Sequence, residues 1–166
     1  MDREKLVAAC GLYCGACEMY RADHDNNQPK LEELLKGFTA RGGKFALDDL
    51  KCDGCLGNGR LTPWCNQCNI RLCSKQKAGE PWCSSDCTDF PCALLTNFAN
   101  DGMTHHIEVL ENLSRLQKIG IKKHAEQEEK RWLCPQYKAP MSWYNKTCHK
   151  CGAKRSNKLY KVQSEL

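Results

Sequence analysis

The chain has 166 residues with a mean hydropathy of −0.65, which allows one domain, or one domain with a small appendage, but excludes a large apolar core. Its 14 cysteines are about 8% of the residues, a level at which disulfides or metal ions hold a fold together. The formal charge of +5 is uneven, because residues 1–117 carry 13 basic and 16 acidic side chains whereas residues 118–166 carry 12 and 4. The sequence therefore predicts an acidic, cysteine-rich front and a basic tail.

The N-terminal sequence predicts a cytoplasmic protein. Only residues 6–9 form an apolar run behind the first charges, which is too short for a signal peptide, and no window is long enough to span a membrane. Thiols stay reduced in the cytoplasm. Closely spaced cysteines in that compartment indicate metal ligands more readily than disulfides.

A helix is predicted over residues 30–41. Its apolar stripe has the spacing i, i+3, i+4 and i+7 and comprises Leu31, Leu34, Leu35 and Phe38. Pro29 suits a first helical turn and Gly42 suits the position after the last. Further helical segments are predicted within residues 93–132, which gives a small helical layer.

Residues 48–92 contain eight cysteines and few aliphatic side chains, with no sustained period. Such a segment cannot offset its own ordering entropy by apolar burial, so we expect it to be unstructured unless it is cross-linked. Two C-x2-C pairs, Cys52–Cys55 and Cys65–Cys68, and the C-x3-C pair Cys83–Cys87 have the spacing of metal half-sites, and Cys73 and Cys92 lie nearby. The alternatives are inert buried thiols and a thioredoxin-like dithiol, which would need a βαβ context that the sequence lacks.

The first cluster, Cys10, Cys14 and Cys17, has the spacing C-x3-C-x2-C and admits two interpretations. One is a structural zinc site completed by a distant cysteine such as Cys92. The other is an iron–sulfur cluster in radical or redox chemistry, although a radical enzyme of this type needs a larger barrel-like scaffold than this chain provides.

The tail contains three more candidate ligands, Cys134, Cys148 and Cys151. Cys148 and Cys151 form a zinc knuckle followed by Gly152, but the second C-x2-C of a zinc ribbon is incomplete because Tyr137 stands three residues after Cys134. His149 is an awkward fourth ligand, since it lies inside the knuckle. A three-thiolate site completed from elsewhere and a vestigial, empty site remain open.

The remaining polar signals are weaker. Basic residues of the tail are interleaved with aromatic ones, a pattern typical of single-stranded nucleic-acid binding but also of a solvated tail. The basic residues are Lys146, Lys150, Lys154, Arg155, Lys158 and Lys161, and the aromatic residues are Trp143, Tyr144 and Tyr160. Solvent-facing positions are the expectation for four histidines, His24, His105, His106 and His124. No phosphate loop and no nucleophile with an identifiable base is present, which favours a non-enzymatic role.

Four strings, CGLYCGAC, CDGCLGNG, CNQCNIRLC and CSSDCTDFPC, occur in an order that resembles domain-of-unknown-function family 3795, a family of cysteine-rich proteins regarded as zinc-binding. The resemblance covers residues 5–99, and the tail is similar to a partly degraded zinc ribbon. It implies metal binding by eleven cysteines, which we call the front cysteines: Cys10, Cys14, Cys17, Cys52, Cys55, Cys65, Cys68, Cys73, Cys83, Cys87 and Cys92. It implies no activity.

The sequence as a whole predicts a small α plus irregular fold organised by metal. Its segments are a cysteine-rich domain (1–99), a helical segment packed on it (100–133) and a basic ribbon-like tail (134–166). We expect two to four zinc ions and the role of an interaction module with a protein partner. The alternatives are a redox role for an iron–sulfur cluster at the first three cysteines and nucleic-acid binding through residues 134–166.

Overall fold

The structure, a computed structural model, describes residues 3–77, 81–83 and 87–155, without the side chains of residues 74–77. Its regular structure is helical and comprises α1 (Glu18–His24), α2 (Gln28–Ala40), α3 (Pro63–Asn66), α4 (Asn69–Lys77), α5 (Ala93–Ala99), α6 (Val109–Ile119) and α7 (Ile121–Arg131). Short 3-10 helices lie at Arg3–Leu6, Cys14–Ala16, Leu47–Leu50 and Thr104–Glu108. Within the described ranges there is no sheet, and isolated antiparallel bridges join Val7 to Tyr13, Leu133 to Pro140 and Thr147 to Lys154.

Helix α2 is the helix predicted from the leucine stripe. Asn27 caps it by accepting a hydrogen bond from the Lys30 N–H at 3.2 Å, and Pro29 lies in its first turn. Gly42 follows the last turn with φ +85°, a conformation that glycine adopts without strain. The buried side of α2 contributes Leu31 to a small core that it shares with Ala22 and Leu50.

The predicted helical layer over residues 93–132 consists of α5, α6 and α7. Gly120, with φ +79°, separates α6 from α7 and lets the two helices pack against each other. Val109 and Leu113 of α6 and Ala125 of α7 are buried in the main core. These apolar side chains attach the layer to the core.

The middle of the chain is more helical than its aperiodic sequence indicates. Helix α4 brings Ile70, only 2% exposed, into the main core, and its Arg71 side chain donates a hydrogen bond to the Cys55 carbonyl at 3.0 Å. One buried apolar anchor and one side-chain contact thus give this helix tertiary support that no window of the sequence displays.

The centre of the main core is the short segment at residues 6–16. Almost every side chain in it is buried. Its backbone carbonyls accept hydrogen bonds from distant parts of the chain. The Cys83 N–H donates to the Ala9 carbonyl at 2.8 Å, and the Trp143 N–H donates to the Ala16 carbonyl at 2.9 Å. Gly11 has φ +83°, and a Cβ there would lie 3.2 Å from Leu113 of α6. The glycine therefore permits both the turn and the close approach of the helix.

The main core takes side chains from all three predicted segments, such as Leu6, Val109 and Trp143. The division at residues 99 and 133 stays a prediction. Of the basic aromatic tail, Lys158, Tyr160 and Lys161 lie outside the described residues. Among the described helices, none combines the length and the apolar character that crossing a membrane requires.

Candidate metal centre

Seven of the front cysteines, from three separate segments, share one neighbourhood beside the core. Each of these thiols is close enough to another for their charges to interact, and the set comprises Cys10, Cys14, Cys17, Cys52, Cys55, Cys65 and Cys68. The backbone N–H of Cys55 donates to the Cys14 Sγ at 3.3 Å, which links the first cluster to the second. The fold thus brings the first cluster close to thiols that lie 35 to 58 positions later in the sequence.

Burial makes five of these thiols weak acids. It raises the pKa of Cys17 to about 11 and that of Cys65 to about 12, and it also raises the pKa values of Cys10, Cys14 and Cys55. Neighbouring thiols add to the effect because two thiolates repel each other. A cation that binds here must therefore displace protons from neutral thiols, and its affinity will rise with pH.

The four remaining front cysteines, Cys73, Cys83, Cys87 and Cys92, are all half-buried. Cys83 and Cys92 also pack against the main core. Among the residues that the structure describes, the front cysteines form no group of three with every Sγ within 4.8 Å of the others. Metal ligation by the eleven front cysteines, including a role for Cys92 as the ligand that completes the first cluster, stays a prediction.

The tail brings its three thiols much closer together. The Sγ atoms of Cys134, Cys148 and Cys151 all lie within 4.8 Å of one another, and the Cys134 and Cys151 sulfurs are 3.6 Å apart. Such distances suit three ligands of one ion, because tetrahedral zinc–sulfur bonds are about 2.3 Å long. We call these three residues the tail site.

Two turns of the same geometry build the tail site, one at Cys134–Ala139 and one at Cys148–Ala153. In the first turn the N–H of Cys134 donates to the Ala139 carbonyl at 2.8 Å, and the N–H of Lys138 donates to the Cys134 carbonyl at 3.0 Å. In the second turn the N–H of Cys148 donates to the Ala153 carbonyl and the N–H of Gly152 donates to the Cys148 carbonyl, both at 2.9 Å. An isolated bridge closes each turn.

The backbone conformation repeats as well. The residue four positions after each leading cysteine has positive φ, +58° at Lys138 and +70° at Gly152. Lysine tolerates this conformation poorly, so the turn imposes it there at a cost in backbone strain. By this correspondence Tyr137 occupies the position that Cys151 holds in the second turn.

Backbone N–H groups surround the sulfurs of the tail site. Tyr137 donates to the Cys134 Sγ at 3.2 Å, and Lys150 donates to the Cys148 Sγ at 3.4 Å. Burial of Cys134 opposes ionisation, but the N–H groups of Tyr137 and Gln136, together with the neighbouring thiols of Cys148 and Cys151, outweigh it and lower the pKa of that thiol to about 7. The turn is therefore arranged to stabilise a thiolate, the form in which cysteine binds metal.

The segment that carries the tail site is strongly basic. Residues 134–155 contain no aspartate or glutamate and five cations, which are Lys138, Lys146, Lys150, Lys154 and Arg155. One divalent ion with three thiolates carries a charge of −1, so this segment would keep a net charge of +4.

Contacts fix the tail against the rest of the fold. The Arg155 guanidinium donates to the Trp143 carbonyl at 3.0 Å and lies 4.7 Å from the centre of the Trp132 ring. Trp143 stacks on His105 at 4.1 Å, and its N–H bonds to Ala16, the neighbour of Cys17. The segment that carries the tail site is thus attached to the main core next to Cys17 and is not a free extension.

Solvent-facing positions were the wrong prediction for two histidines. His105 is 7% exposed and its Nδ1 lies 2.6 Å from the Tyr144 hydroxyl, while His124 is fully buried. Burial lowers the pKa of both, that of His105 to about 3. His106 forms a hydrogen bond of 2.8 Å with Asp101.

A second group of possible ligands, Asp23, His24 and Asp53, was not predicted from the sequence. The Arg60 guanidinium bonds to Asp23 at 2.7 Å and to Asp53 at 3.0 Å, so an internal cation already compensates the carboxylates. His24 is half-buried and stacks on Tyr20. These contacts identify a structural ion-pair cluster, and its residues are separated too widely in the sequence for a pattern to reveal it.

Comparison with known proteins agrees with the order of the cysteine blocks. No curated protein and no solved structure matches the chain. Residues 6–97, more than half of the chain, match the family described as protein of unknown function (DUF3795). The matched segment ends before the tail site, which therefore lies outside it. The chain belongs to this family of proteins of unknown function.

Proposed function

We propose that the protein is a zinc-stabilised interaction module and that Cys134, Cys148 and Cys151 are its best-defined metal ligands. The observation that supports this most strongly is the convergence of the three Sγ atoms within 4.8 Å, on two turns of matching geometry. Thiolates of this arrangement favour zinc over the harder cations, which prefer oxygen ligands.

Zinc would order the tail and thereby present a surface. Tyr137 is 61% exposed and stands among the lysines of a segment without acidic residues. A positive surface with an exposed ring suits an acidic protein partner, which is the leading candidate. Further ions at the front cysteines would bring the total to between two and four.

Single-stranded nucleic acid is the second candidate partner. It is favoured by the exposure of Tyr144, 41%, together with that of Tyr137, because rings between cations can stack on bases. The full chain would then retain a short RNA in a salt-dependent manner, and replacing Lys138 and Lys150 by Gln would weaken retention. RNA retention that changes neither with salt concentration nor with these substitutions would exclude this partner.

The metal proposal is tested by the metal content of three full-length proteins. Elemental analysis and native mass spectrometry of the wild type should find zinc, and Cys148→Ser should contain one zinc ion fewer. His149→Ala is the matched control and should keep every ion, because His149 does not join the three converging thiols. Cys148→Ser with undiminished zinc would refute the site, and iron with acid-labile sulfide would favour the iron–sulfur alternative.

A further inference from the structure

We propose that the tail site binds a thiolate from outside its two turns, at a fourth coordination position that Tyr137 leaves open. This inference rests on the proposed zinc site and names the ligand that completes it. The donor would be a low-molecular-weight thiol or a cysteine of a partner protein, which offer the metal the same chemistry.

The open position follows from the repeated turn. Both turns have the same hydrogen bonds and the same positive φ at their fourth residue, so residue 137 corresponds to the ligand Cys151. A cysteine there would complete four thiolates. Instead the chain has a tyrosine, whose rigid ring carries its oxygen well beyond the reach of a cysteine sulfur.

Tyr137 is not a substitute for the missing thiolate. Phenol oxygen is not a usual zinc ligand, and the side chain is 61% exposed, so most of it lies in solvent. No other His, Cys, Asp or Glu among the described residues joins the three sulfurs. Cys151 is itself exposed, so this side of the tail site is accessible to a ligand in solution.

The charge of the segment favours an anion in the open position. The segment that carries the three thiolates contains five cations and no acidic residue, so its charge would stay positive with one divalent ion bound. Three soft sulfur donors select a soft metal ion, for which a fourth thiolate is a better match than a carboxylate or phosphate oxygen. A thiol that binds there releases its proton to solvent, since the thiolate is the ligand form.

The test uses the full chain loaded with Co²⁺, whose absorption reports the number of thiolate ligands. N-acetylcysteine should produce a saturable change toward a four-thiolate spectrum, whereas N-acetylserine, its oxygen analogue, should produce none. Elemental analysis after desalting shows that the ion is retained. Comparing N-acetylcysteine with the acidic peptide acetyl-Asp-Cys-Asp-amide separates the two sources, because tighter binding of the peptide favours a partner's cysteine.

Substitutions of Tyr137 provide the controls. Tyr137→Cys should show the four-thiolate spectrum without added thiol, should not respond to N-acetylcysteine and should bind zinc more than about tenfold tighter, since even an outer partner of a zinc ligand changes affinity about 10–100-fold. Tyr137→Phe should respond as the wild type does. This second variant keeps the test decisive if Tyr137→Cys does not fold.

Two results would overturn the inference. One is a wild-type spectrum that thiol does not change, and the other is a wild-type spectrum already equal to that of Tyr137→Cys before thiol is added. If Cys148→Ser still loses one ion in either case, the proposed zinc site stands and only the open position is refuted. If Cys148→Ser loses no ion, the proposed function itself fails.

Discussion

Removing zinc should unfold the two turns of the tail while leaving the helical core in place. The core under these turns comprises Cys134, Met141 and Cys148, so two of its three buried side chains are candidate ligands. Burial of Met141 stabilises by about 1.5–3 kcal/mol, which is less than the cost of ordering even three residues of backbone, at about 1–2 kcal/mol each. The contacts of Trp143 and Arg155 attach the segment between and after the turns to the core, so the two turns themselves depend mainly on the metal.

The expected size of the effect follows from zinc-binding energies. Structural zinc contributes about 10–16 kcal/mol in zinc-finger peptides, and even a third of this, about 4 kcal/mol, changes an opening equilibrium about 10³-fold. Four amides of the turns report the opening because their N–H groups donate within the turns, and they belong to Cys134, Lys138, Cys148 and Gly152. Their hydrogen exchange should accelerate by about 10³-fold or more after chelation under reducing conditions.

The control is the amide of Leu31, which donates to the Asn27 carbonyl at 3.2 Å in α2, beside a core without cysteines. Its exchange should change little. If elemental analysis confirms that zinc has been removed and the four tail amides still exchange at their original rates, the metal does not stabilise the turns and the reasoning is wrong.

Three further predictions concern the fold. Glu128→Gln should lower the free energy of unfolding by about 3 kcal/mol, because Glu128 is 1% exposed and accepts bonds from two arginines and the Trp132 indole, whereas Glu126→Gln should leave the denaturation midpoint unchanged. Burial lowers the pKa of His105 from 6.5 to about 3, so the unfolded chain takes up the proton first as the pH falls, and the stability present above pH 6.5 is lost. The free energy of unfolding should therefore fall between pH 7 and pH 5 by about 2 kcal/mol more in the wild type than in His105→Gln. An equal difference in both proteins would contradict this. Gly57→Ala should destabilise the front by about 1–3 kcal/mol without changing zinc at the tail, since its Cβ would lie 2.4 Å from the Asp53 carbonyl oxygen, and an unchanged midpoint would refute the strain.

The sequence predicts those parts of the fold that depend on local spacing. The leucine stripe predicts α2, and the spacing of Cys148 and Cys151 predicts a turn whose sulfurs converge. Tyr137 stands out in the sequence because a C-x2-C pattern that begins at Cys134 would require a cysteine at residue 137. These features are local, so neighbouring residues carry enough information.

Features that depend on distant contacts could not be predicted in this way. Residues 6–16 form the centre of the core, but as a short apolar turn they have neither the period of a helix nor that of a strand. His105 is buried because Trp143, 38 positions later, stacks on it. Helix α4 depends on Ile70 reaching the core, and the gathering of the front cysteines depends on the fold as a whole.

The central claim is that one metal ion joins the two turns of the tail through three thiolates. Anomalous diffraction at the zinc edge, from crystals of the full chain prepared under reducing conditions, tests it most directly. The account predicts a peak about 2.3 Å from the Sγ atoms of Cys134, Cys148 and Cys151. Ordered tail turns with those three thiols free of any anomalous peak would contradict it.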